Sequence, residues 1–358
     1  MPEVATVRLV DPRILAAMAA NGGVITRHEL HDLGVGPGRI RSLLHRRRGE
    51  ENPPLRVLRR GVYTATEIWN ALDRYVGRPL LLARAAGLTA KRGWVLSHDS
   101  SCHLQGLPVL RPRVPLVHLT RPGWTNAWTE YGVKHHLARF EPEQVVVVEG
   151  LRALDLARTA VDMGREHGFR HGLVACDAAM RRGATRADLE RALEVMANWP
   201  GVIGARAAVE LADPGAESAL ESLARELVIE AGIGAPDTQF PVRTSRGIRW
   251  CDIRVGHTII EADGAIKYAD EADGGLSADP HRTWFEEKLR ERAVTDRGLV
   301  VVRVVNDDLW SRRRRTEAIE RIQRGHAESV QRFGREVSPE LAREAAEIRR
   351  QYGDRRSA

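Results

Sequence analysis

The chain has 358 residues, more than one ordinary hydrophobic core contains, and this length predicts two or three domains. Hydrophobic residues make up 43% of it, enough for a globular fold, but the longest apolar runs, 145–148 and 299–302, are far too short to cross a bilayer. The first residues contain no apolar signal segment, so we expect a cytoplasmic protein with no membrane partner. Lys and Arg exceed Asp and Glu by 55 to 48, and almost all the positive charge is Arg, the side chain that best suits phosphate.

The segment 10–66 has the pattern of a winged helix-turn-helix domain. A first apolar helix ends at Gly22-Gly23. The second helix begins with a capping box, in which Thr26 is the N-cap residue and Glu29 stands three positions later. A third helix follows a turn rich in Gly and Pro, and the alternating run 55–63 has the pattern of a wing. In such domains the third helix enters the major groove of DNA.

Positive charge is concentrated in the same segment. Between Arg39 and Arg60 there are eight Arg residues and two acids, a local excess of six positive charges that could neutralise several phosphates. The residues that we predict to contact DNA are Arg39, Arg41, Ser42, His45 and Arg46 on the helix, and Arg59 and Arg60 on the wing. A solvated basic face on a small helical domain is the alternative.

The middle region, residues 79–205, has a mixed α/β pattern. Strand-like runs occur at 115–119 and 144–148, and a helix is predicted over 151–164. A linker is expected around 212–215, where Pro and Gly separate two helical patterns.

Two groups of polar residues in the middle region could carry chemistry. Ser97-His98-Asp99 contains the three residue types of a hydrolytic triad, but adjacent residues point in different directions, so helix capping by Ser97 or Asp99 is favoured. His135-His136 could bind a metal only with distant partners that the sequence does not identify. The cysteines, predicted to be small buried thiols because no spacing between them suits a metal, are Cys102, Cys176 and Cys251.

The segment 214–310 has the order helix, hairpin, helix, strand, as expected of a small α/β domain. Gly256-His257 suits a two-residue hairpin turn, and the register that this turn sets places Asp252 opposite Glu261 on one face. Two carboxylates about 5 Å apart destabilise a sheet by themselves. The pair therefore suggests a divalent cation between them, a nearby Arg or a shared proton.

The polar face of this hairpin also carries Asp263 and Arg254. Because Arg254 is diagonal to Glu261, a plain salt bridge is the alternative to a metal site. The opposite face is predicted to be the core side and consists of Cys251, Ile253, Val255, Thr258, Ile260 and Ala262.

The helix before the hairpin contributes a further candidate acid. Glu217 lies nearly on the same side as the apolar stripe and would point toward the sheet, whereas Glu221 falls further toward the edge. Favourable charge at a helix N-terminus is the alternative role for Glu217.

From Glu217 through Trp310 the chain resembles the Vsr-like, restriction-endonuclease-related branch of the PD-(D/E)XK nuclease superfamily. The shared features are an Asp strand, a strand with Glu261-Ala262-Asp263-Gly264, and Lys267-Tyr268 before a final strand. The resemblance implies Asp252 and Glu261 as ligands of Mg²⁺ or Mn²⁺ and Glu217 as the first-helix acid. It also implies that Lys267 orients the attacking water or stabilises charge at phosphorus.

The chain departs from the pattern of this superfamily at one position. Two residues after Glu261 the superfamily has Lys, and this chain has Asp263. Either Lys267 takes the role of that Lys, or Asp263 becomes a third metal ligand.

The first half, residues 10–200, resembles the AbiEi-type antitoxin family of winged-helix proteins. The resemblance lies in Gly22 to Thr26, in the wing Arg60-Gly61-Val62-Tyr63, and in Ser97 to Ser101 followed by Gly106-Leu107-Pro108. It implies DNA binding, with Arg39, Arg41 and Arg46 contacting the major groove or phosphates and Arg59 and Arg60 contacting DNA from the wing.

We therefore expect an α/β multidomain protein. Its predicted parts are a winged helix-turn-helix (10–66), a mixed α/β middle region (79–205), a restriction-endonuclease-like α/β lobe (214–310) and a solvated Arg-rich helical tail (311–358). The leading hypothesis is a DNA-binding protein with a Mg²⁺-dependent endonuclease lobe, acting in defence or repair. The alternatives are a non-catalytic antitoxin-type regulator, with a toxin as possible partner, and a structural protein with a salt-bridged hairpin. The oligomeric state is open.

Overall fold

The computed structural model describes residues 10–353, except positions 49, 91–92, 113, 125 and 264–279. Within these residues the protein is a mixed α/β structure with fourteen α-helices and three sheets, which confirms the predicted fold class at this level. Among the same residues, no helix is both long enough and apolar enough to span a membrane.

The N-terminal elements form a helical layer on a three-stranded sheet. In chain order they are α1 (Pro12–Ala20), β1 (Ile25–Thr26), α2 (Arg27–Asp32), α3 (Pro37–Leu44), β2 (Leu55–Arg59), β3 (Val62–Ala65) and α4 (Thr66–Ala71). The strand order is β1-β3-β2, and the core includes Ile14, Met18, Leu30 and Ile40. The predicted capping box is present: Glu29 N–H donates to Thr26 Oγ1, and Thr26 N–H donates to Glu29 Oε2.

The middle region is a six-stranded mixed sheet with helices packed against it. Its elements are α5 (Gly77–Thr89), β4 (Val95–Leu96), α6 (His98–Gln105), β5 (Val117–Arg121), β6 (Asn126–Glu130), β7 (Val133–Leu137), β8 (Val145–Val148), β9 (Leu151–Leu154), α7 (Leu156–His167), α8 (Phe169–Arg181), α9 (Arg186–Glu194) and α10 (Val202–Glu210). The strand order is β6-β7-β5-β4-β9-β8. The helix predicted from Leu151 begins only at Leu156, because 151–154 pairs with β8 as a strand and the Asp155 side chain caps α7.

The C-terminal lobe is a four-stranded sheet between two pairs of helices. Its elements are α11 (Ala219–Ala231), β10 (Asp237–Thr244), β11 (Gly247–Val255), β12 (Thr258–Asp263), α12 (Pro280–Thr295), β13 (Val300–Val305), α13 (Arg312–Phe333) and α14 (Pro339–Tyr352). The strand order is β10-β11-β12-β13, antiparallel except for the parallel pair β12 and β13.

The two C-terminal helices pack on the sheet, so the prediction of a solvated tail was wrong. Ala318 and Ile322 of α13 join α11 on one face of the sheet. Leu341 and Ala345 of α14 cover the other face. His257, in the hairpin turn, hydrogen-bonds to the Gly298 carbonyl through Nδ1 and accepts from Ser338 N–H at Nε2, so the turn is tied to the start of α14.

A buried ion pair joins the middle region to the C-terminal lobe where the sequence predicted a linker. Arg225 Nη2 of α11 lies 2.9 and 2.8 Å from the two carboxylate oxygens of Asp177 in α8. Asp213 N–H donates to the same carboxylate, and Ala212 and Ala216 are buried. The segment 212–215 is therefore a packed connection, because its backbone and side chains belong to the interior.

We expect Arg225→Leu to lower the free energy of unfolding by about 3–5 kcal/mol, because it leaves the buried Asp177 carboxylate without its guanidinium. Urea unfolding followed by circular dichroism measures this change. Arg191→Leu is the matched control, since Arg191 pairs with Asp188 in an exposed position and its loss costs less than about 1 kcal/mol. Equal destabilisation by the two substitutions would contradict the role given to the buried pair.

Candidate acidic site

The hairpin register agrees with the one predicted from Gly256-His257. Ile253 pairs with Ile260, and Val255 pairs with Thr258. Continuing this register by one residue brings Asp252 opposite Glu261, at the place where Ala262 N–H donates to Asp252 Oδ2 at 2.8 Å. Gly256 has φ +56°, and a Cβ there would lie 2.4 Å from the Arg335 carbonyl oxygen, so the turn requires Gly.

Side-chain alternation breaks at Asp252, which the sequence pattern did not predict. Ile253 packs with α11 on one face of the sheet, whereas Cys251, predicted for the same face, packs on the other face with Phe240. The opposing strand has an irregularity at the same level, where the buried residue Gln239 has φ +48°. A non-glycine residue in this left-handed region stores strain, and such residues cluster at functional sites.

Glu221, and not Glu217, is the acid of α11 that is electrostatically coupled to Asp252. Burial, and then the Asp252 charge, raise the pKa of Glu221 from 4.5 to about 7. Its carboxylate accepts from Glu217 N–H at 2.7 Å and from Ser218 Oγ at 2.8 Å. Glu217 itself is exposed and precedes the helix, which begins at Ala219.

A capping pattern in the sequence indicates Glu221 rather than Glu217. Ser218 and Glu221 have the spacing of a capping box, which would start the helix after Ser218. Glu221 then lies three residues before Ala224 and seven before Val228, on the buried face. Counting the helix from Glu217 put the acid one turn too early.

The remaining predicted residues have partners of their own. Arg254 donates to Asp237 Oδ2 at 3.0 Å, so the salt bridge considered for Arg254 is formed with Asp237. Asp263 Oδ2 lies 2.9 Å from Arg303 Nη1, and Arg303 is also the cross-strand partner of Glu261. Lys267 lies outside the described residues.

Oxygen ligands dominate the surroundings of this pair. Cys251 is buried, and burial together with the Glu261 and Asp252 charges raises the pKa of its thiol well above the usual range. The raised pKa makes the thiolate, which is the form that binds metals, less accessible. Glu221, Asp252 and Glu261 thus offer carboxylate oxygens, the ligand type that Mg²⁺ and Mn²⁺ prefer.

The predicted DNA-contacting residues divide into two sets. Arg39 and Arg41 are exposed on α3, and the exposed residues His45 and Arg46 follow the end of that helix at Leu44. Ser42 is half-buried, and Arg60 is exposed at the hairpin turn. Arg59 is different: burial lowers the pKa of its guanidinium, and it lines a cleft shared with Ser100 and His103 of the middle region.

No protein-family model matches the chain. Two curated relatives are similar to it. Both are uncharacterized proteins of Mycobacterium tuberculosis, from strains CDC 1551 and H37Rv, and each is 30% identical over 164 residues. The match covers 45% of this chain and 58% of each relative, so the chain spans less than two thirds of their length.

We expect Glu221→Gln to stabilise the metal-free protein at pH 8 by about 2–3 kcal/mol. Because the folded-state pKa is raised from 4.5 to about 7, wild-type stability falls as pH rises from 4.5 to 7 and stays low above it. The gain in melting temperature of Glu221→Gln over wild type should therefore grow between pH 4.5 and 7.

The matched control for this prediction is Glu230→Gln, an exposed residue on the same helix that pairs with Arg315. It should show no such pH-dependent gain. A melting-temperature difference for Glu221→Gln that stays flat with pH would contradict the raised pKa.

Proposed function

We propose that the chain binds DNA through α3 and the β2–β3 hairpin and hydrolyses phosphodiester bonds at the acidic site. The observation that carries this proposal is the approach of Glu221 on α11 to Asp252 on β11, which the hairpin register places opposite Glu261. Burial, and then the Asp252 charge, raise the pKa of Glu221 to about 7. Acids with perturbed pKa values that lie close together are candidates for a functional site.

Mg²⁺ or Mn²⁺ suits the donor type of these acids. Among the described residues, the groups that bring three candidate ligand atoms within 4.8 Å of one another contain histidines, so the three acids would draw together on binding a cation. Three carboxylates from three elements, Glu221 on α11, Asp252 on β11 and Glu261 on β12, supply hard oxygen donors. When bound, the cation would supply a Lewis acid that lowers the pKa of water and neutralises charge at phosphorus. The charge of the cation would also offset the repulsion from Asp252, which together with burial raises the pKa of Glu221.

The surrounding residues hold the acids in place. Ala262 N–H fixes one Asp252 oxygen, and Ser218 Oγ and Glu217 N–H bind the two oxygens of Glu221. Gln239 Nε2 lies 3.4 Å from Glu221 Oε2, so the strained β10 residue also touches the site. Glu217 contributes its backbone N–H to Glu221, and Asp263 is bound to Arg303.

The order of elements supports a restriction-endonuclease-like lobe. α11 precedes three antiparallel strands, and α12 connects the third of them to a parallel fourth. The acids lie on the first helix and on the second and third strands. In the N-terminal part, three helices, a three-stranded sheet and exposed Arg residues on α3 support a winged helix-turn-helix.

We expect purified protein to nick plasmid DNA in Mg²⁺ or Mn²⁺, and Asp252→Ala and Glu221→Gln to reduce nicking at least a hundredfold. Each substitution removes a carboxylate from the proposed ligand set. Agarose gels of supercoiled plasmid measure the rate. Mg²⁺ should also raise the melting temperature of wild type but not of Asp252→Ala.

Glu230→Gln again serves as the control and should cleave like wild type. Glu230 is also on α11, but it lies nine residues after Glu221, near the other end of the helix. Equal cleavage by wild type and Asp252→Ala would indicate a contaminating nuclease and sink the assignment. No cleavage on any DNA substrate or metal tested would sink the catalytic part of the proposal.

We expect the triple substitution Arg39→Ala, Arg41→Ala and Arg46→Ala to weaken DNA binding and to reduce the slope of log K against log salt by about 3. Each lost phosphate contact removes about one released counterion. Fluorescence anisotropy in EDTA at several salt concentrations measures both. Arg152, Arg191 and Arg206, exposed in the middle region, provide a control triple with the same charge change. An equal effect of the two triples would mean that net charge, and not α3, determines binding.

A second candidate function is DNA-binding regulation without cleavage. It is favoured by Asp263, which stands where the nuclease pattern has Lys and is held by Arg303. This function predicts DNA binding with a steep salt dependence in EDTA and no nicking, so the two experiments above separate it from the nuclease.

A further inference from the structure

Five histidines gather between the six-stranded sheet and helices α6, α7 and α8, and they bring together His98 and His136 from the two polar groups singled out in the sequence. We define the histidine cluster as His98, Asp99, His118, His136 and His167, with His171 beside it. Ser97 occupies the N-cap position of α6, but its side chain makes no capping bond. Instead, Ser97 Oγ lies 2.9 Å from His98 Nδ1 and accepts from Thr120 Oγ1. Of the two residues predicted to cap this helix, Ser97 or Asp99, the Ser97 side chain does not do so.

Three different elements bring the central imidazoles together. His118 on β5 and His136 on β7 lie on one face of two neighbouring parallel strands, with His136 opposite Thr120. His98 is the first residue of α6 and has φ +47°, a strained conformation for a residue with a Cβ. His135 faces the other side, where its ring stacks on Trp128.

The contacts of His118 indicate which of its nitrogens faces which neighbour. His118 Nε2 lies 3.4 Å from Asp99 Oδ2, and His118 Nδ1 lies 3.0 Å from His136 Nε2. If Nε2–H donates to Asp99, the Nδ1 lone pair points at His136. A carboxylate that holds one imidazole nitrogen while the other binds a metal is the usual second layer of a zinc site.

The cluster contains a buried carboxylate beside a neutral imidazole. His118 Nδ1 lies 3.0 Å from His136 Nε2, a hydrogen bond in which one ring must accept and is therefore neutral. Asp99 Oδ2 lies 2.7 Å from His167 Nε2 and 3.4 Å from His118 Nε2. Among the described residues, Asp99 has ion-pair partners only in these two histidines, and its Oδ1 is buried with no hydrogen-bond partner.

We propose that His98, His118 and His136 bind a Zn²⁺-class divalent cation, with Asp99 and His167 orienting His118 and a water completing four ligands. The candidate ligand atoms of the three histidines lie within 4.8 Å of one another. Neutral imidazoles are borderline ligands that suit zinc, whereas the acidic site offers oxygen. The site is separate from the acidic site, and the inference does not depend on the proposed nuclease function.

Binding requires one local movement. The His98 ring stacks on His136 with centroids 4.0 Å apart and planes at 17°. A bound metal lies in the plane of each imidazole, so His98 must turn out of this stack. A cleft of about 380 Å³, with Asp99, His103 and Arg111 in its wall, reaches the edge of the cluster at Asp99.

The test is a titration of Co²⁺ into full-length protein stripped with EDTA, followed by displacement with Zn²⁺. We expect one equivalent of Co²⁺ with the visible bands of a tetrahedral nitrogen and oxygen site, bleached by one equivalent of Zn²⁺. Asp252→Ala, in the acidic site, and His135→Asn, the adjacent residue on the opposite face, should keep the bands. His118→Gln should lose them, and Asp99→Asn should weaken binding 10–100-fold.

Circular dichroism and DNA binding report whether the His118→Gln variant folds. If this variant does not fold, the Co²⁺ spectrum of the wild-type protein tests the proposed site. Absence of a tetrahedral spectrum in wild type would overturn the proposal. So would loss of the bands in Asp252→Ala or His135→Asn, or their survival in a folded His118→Gln protein.

Discussion

The buried ion pair between Asp177 and Arg225 fixes how α11 sits, and the acidic site depends on that helix. Arg225 reaches α8, and Glu221 lies one turn earlier on α11, coupled to Asp252. Residues four apart on a helix are neighbours on its surface, so the interaction that holds α11 against the middle region also sets the approach of Glu221 to the sheet. Arg225 Nη1 donates to the Leu211 carbonyl as well, which ties the connecting segment into the same contact.

Hydrophobic packing around α11 offsets the free-energy cost of holding Glu221 near Asp252. The apolar side chains of α11 form one core with Ile253 and Ile260 of the sheet and with α13, and Val174 of α8 belongs to the same core. Each fully buried Leu or Ile side chain contributes about 1.5–3 kcal/mol. A few such residues outweigh the cost of holding Glu221 near Asp252 at neutral pH. A second small core, including Val24, Val62 and Leu81, joins the N-terminal elements to α5 in the same manner.

Local patterns in the sequence predicted what local interactions determine. The Thr26–Glu29 capping box and the Gly256-His257 register depend on residues within a few positions of one another, and both are found. The burial of α13 and α14 was missed because amphipathic Arg- and Glu-rich helices have the same composition whether their apolar stripe meets a sheet or solvent. The histidine cluster was missed for a different reason: its members come from four segments, and only the pairing of β5 with β7 beside α6 brings them together.

The two clusters differ in ligand chemistry, and this difference would keep their cations apart. Glu221, Asp252 and Glu261 present carboxylate oxygens, and burial raises the pKa of the nearby Cys251 thiol. The histidine cluster presents imidazole nitrogen in a buried space that also contains the Asp99 carboxylate. Mg²⁺ loses its water reluctantly and gains little from imidazole, whereas Zn²⁺ binds imidazole strongly. A cation bound at the histidine cluster would stabilise the middle region. The acidic site would remain available to exchangeable Mg²⁺ and to phosphate.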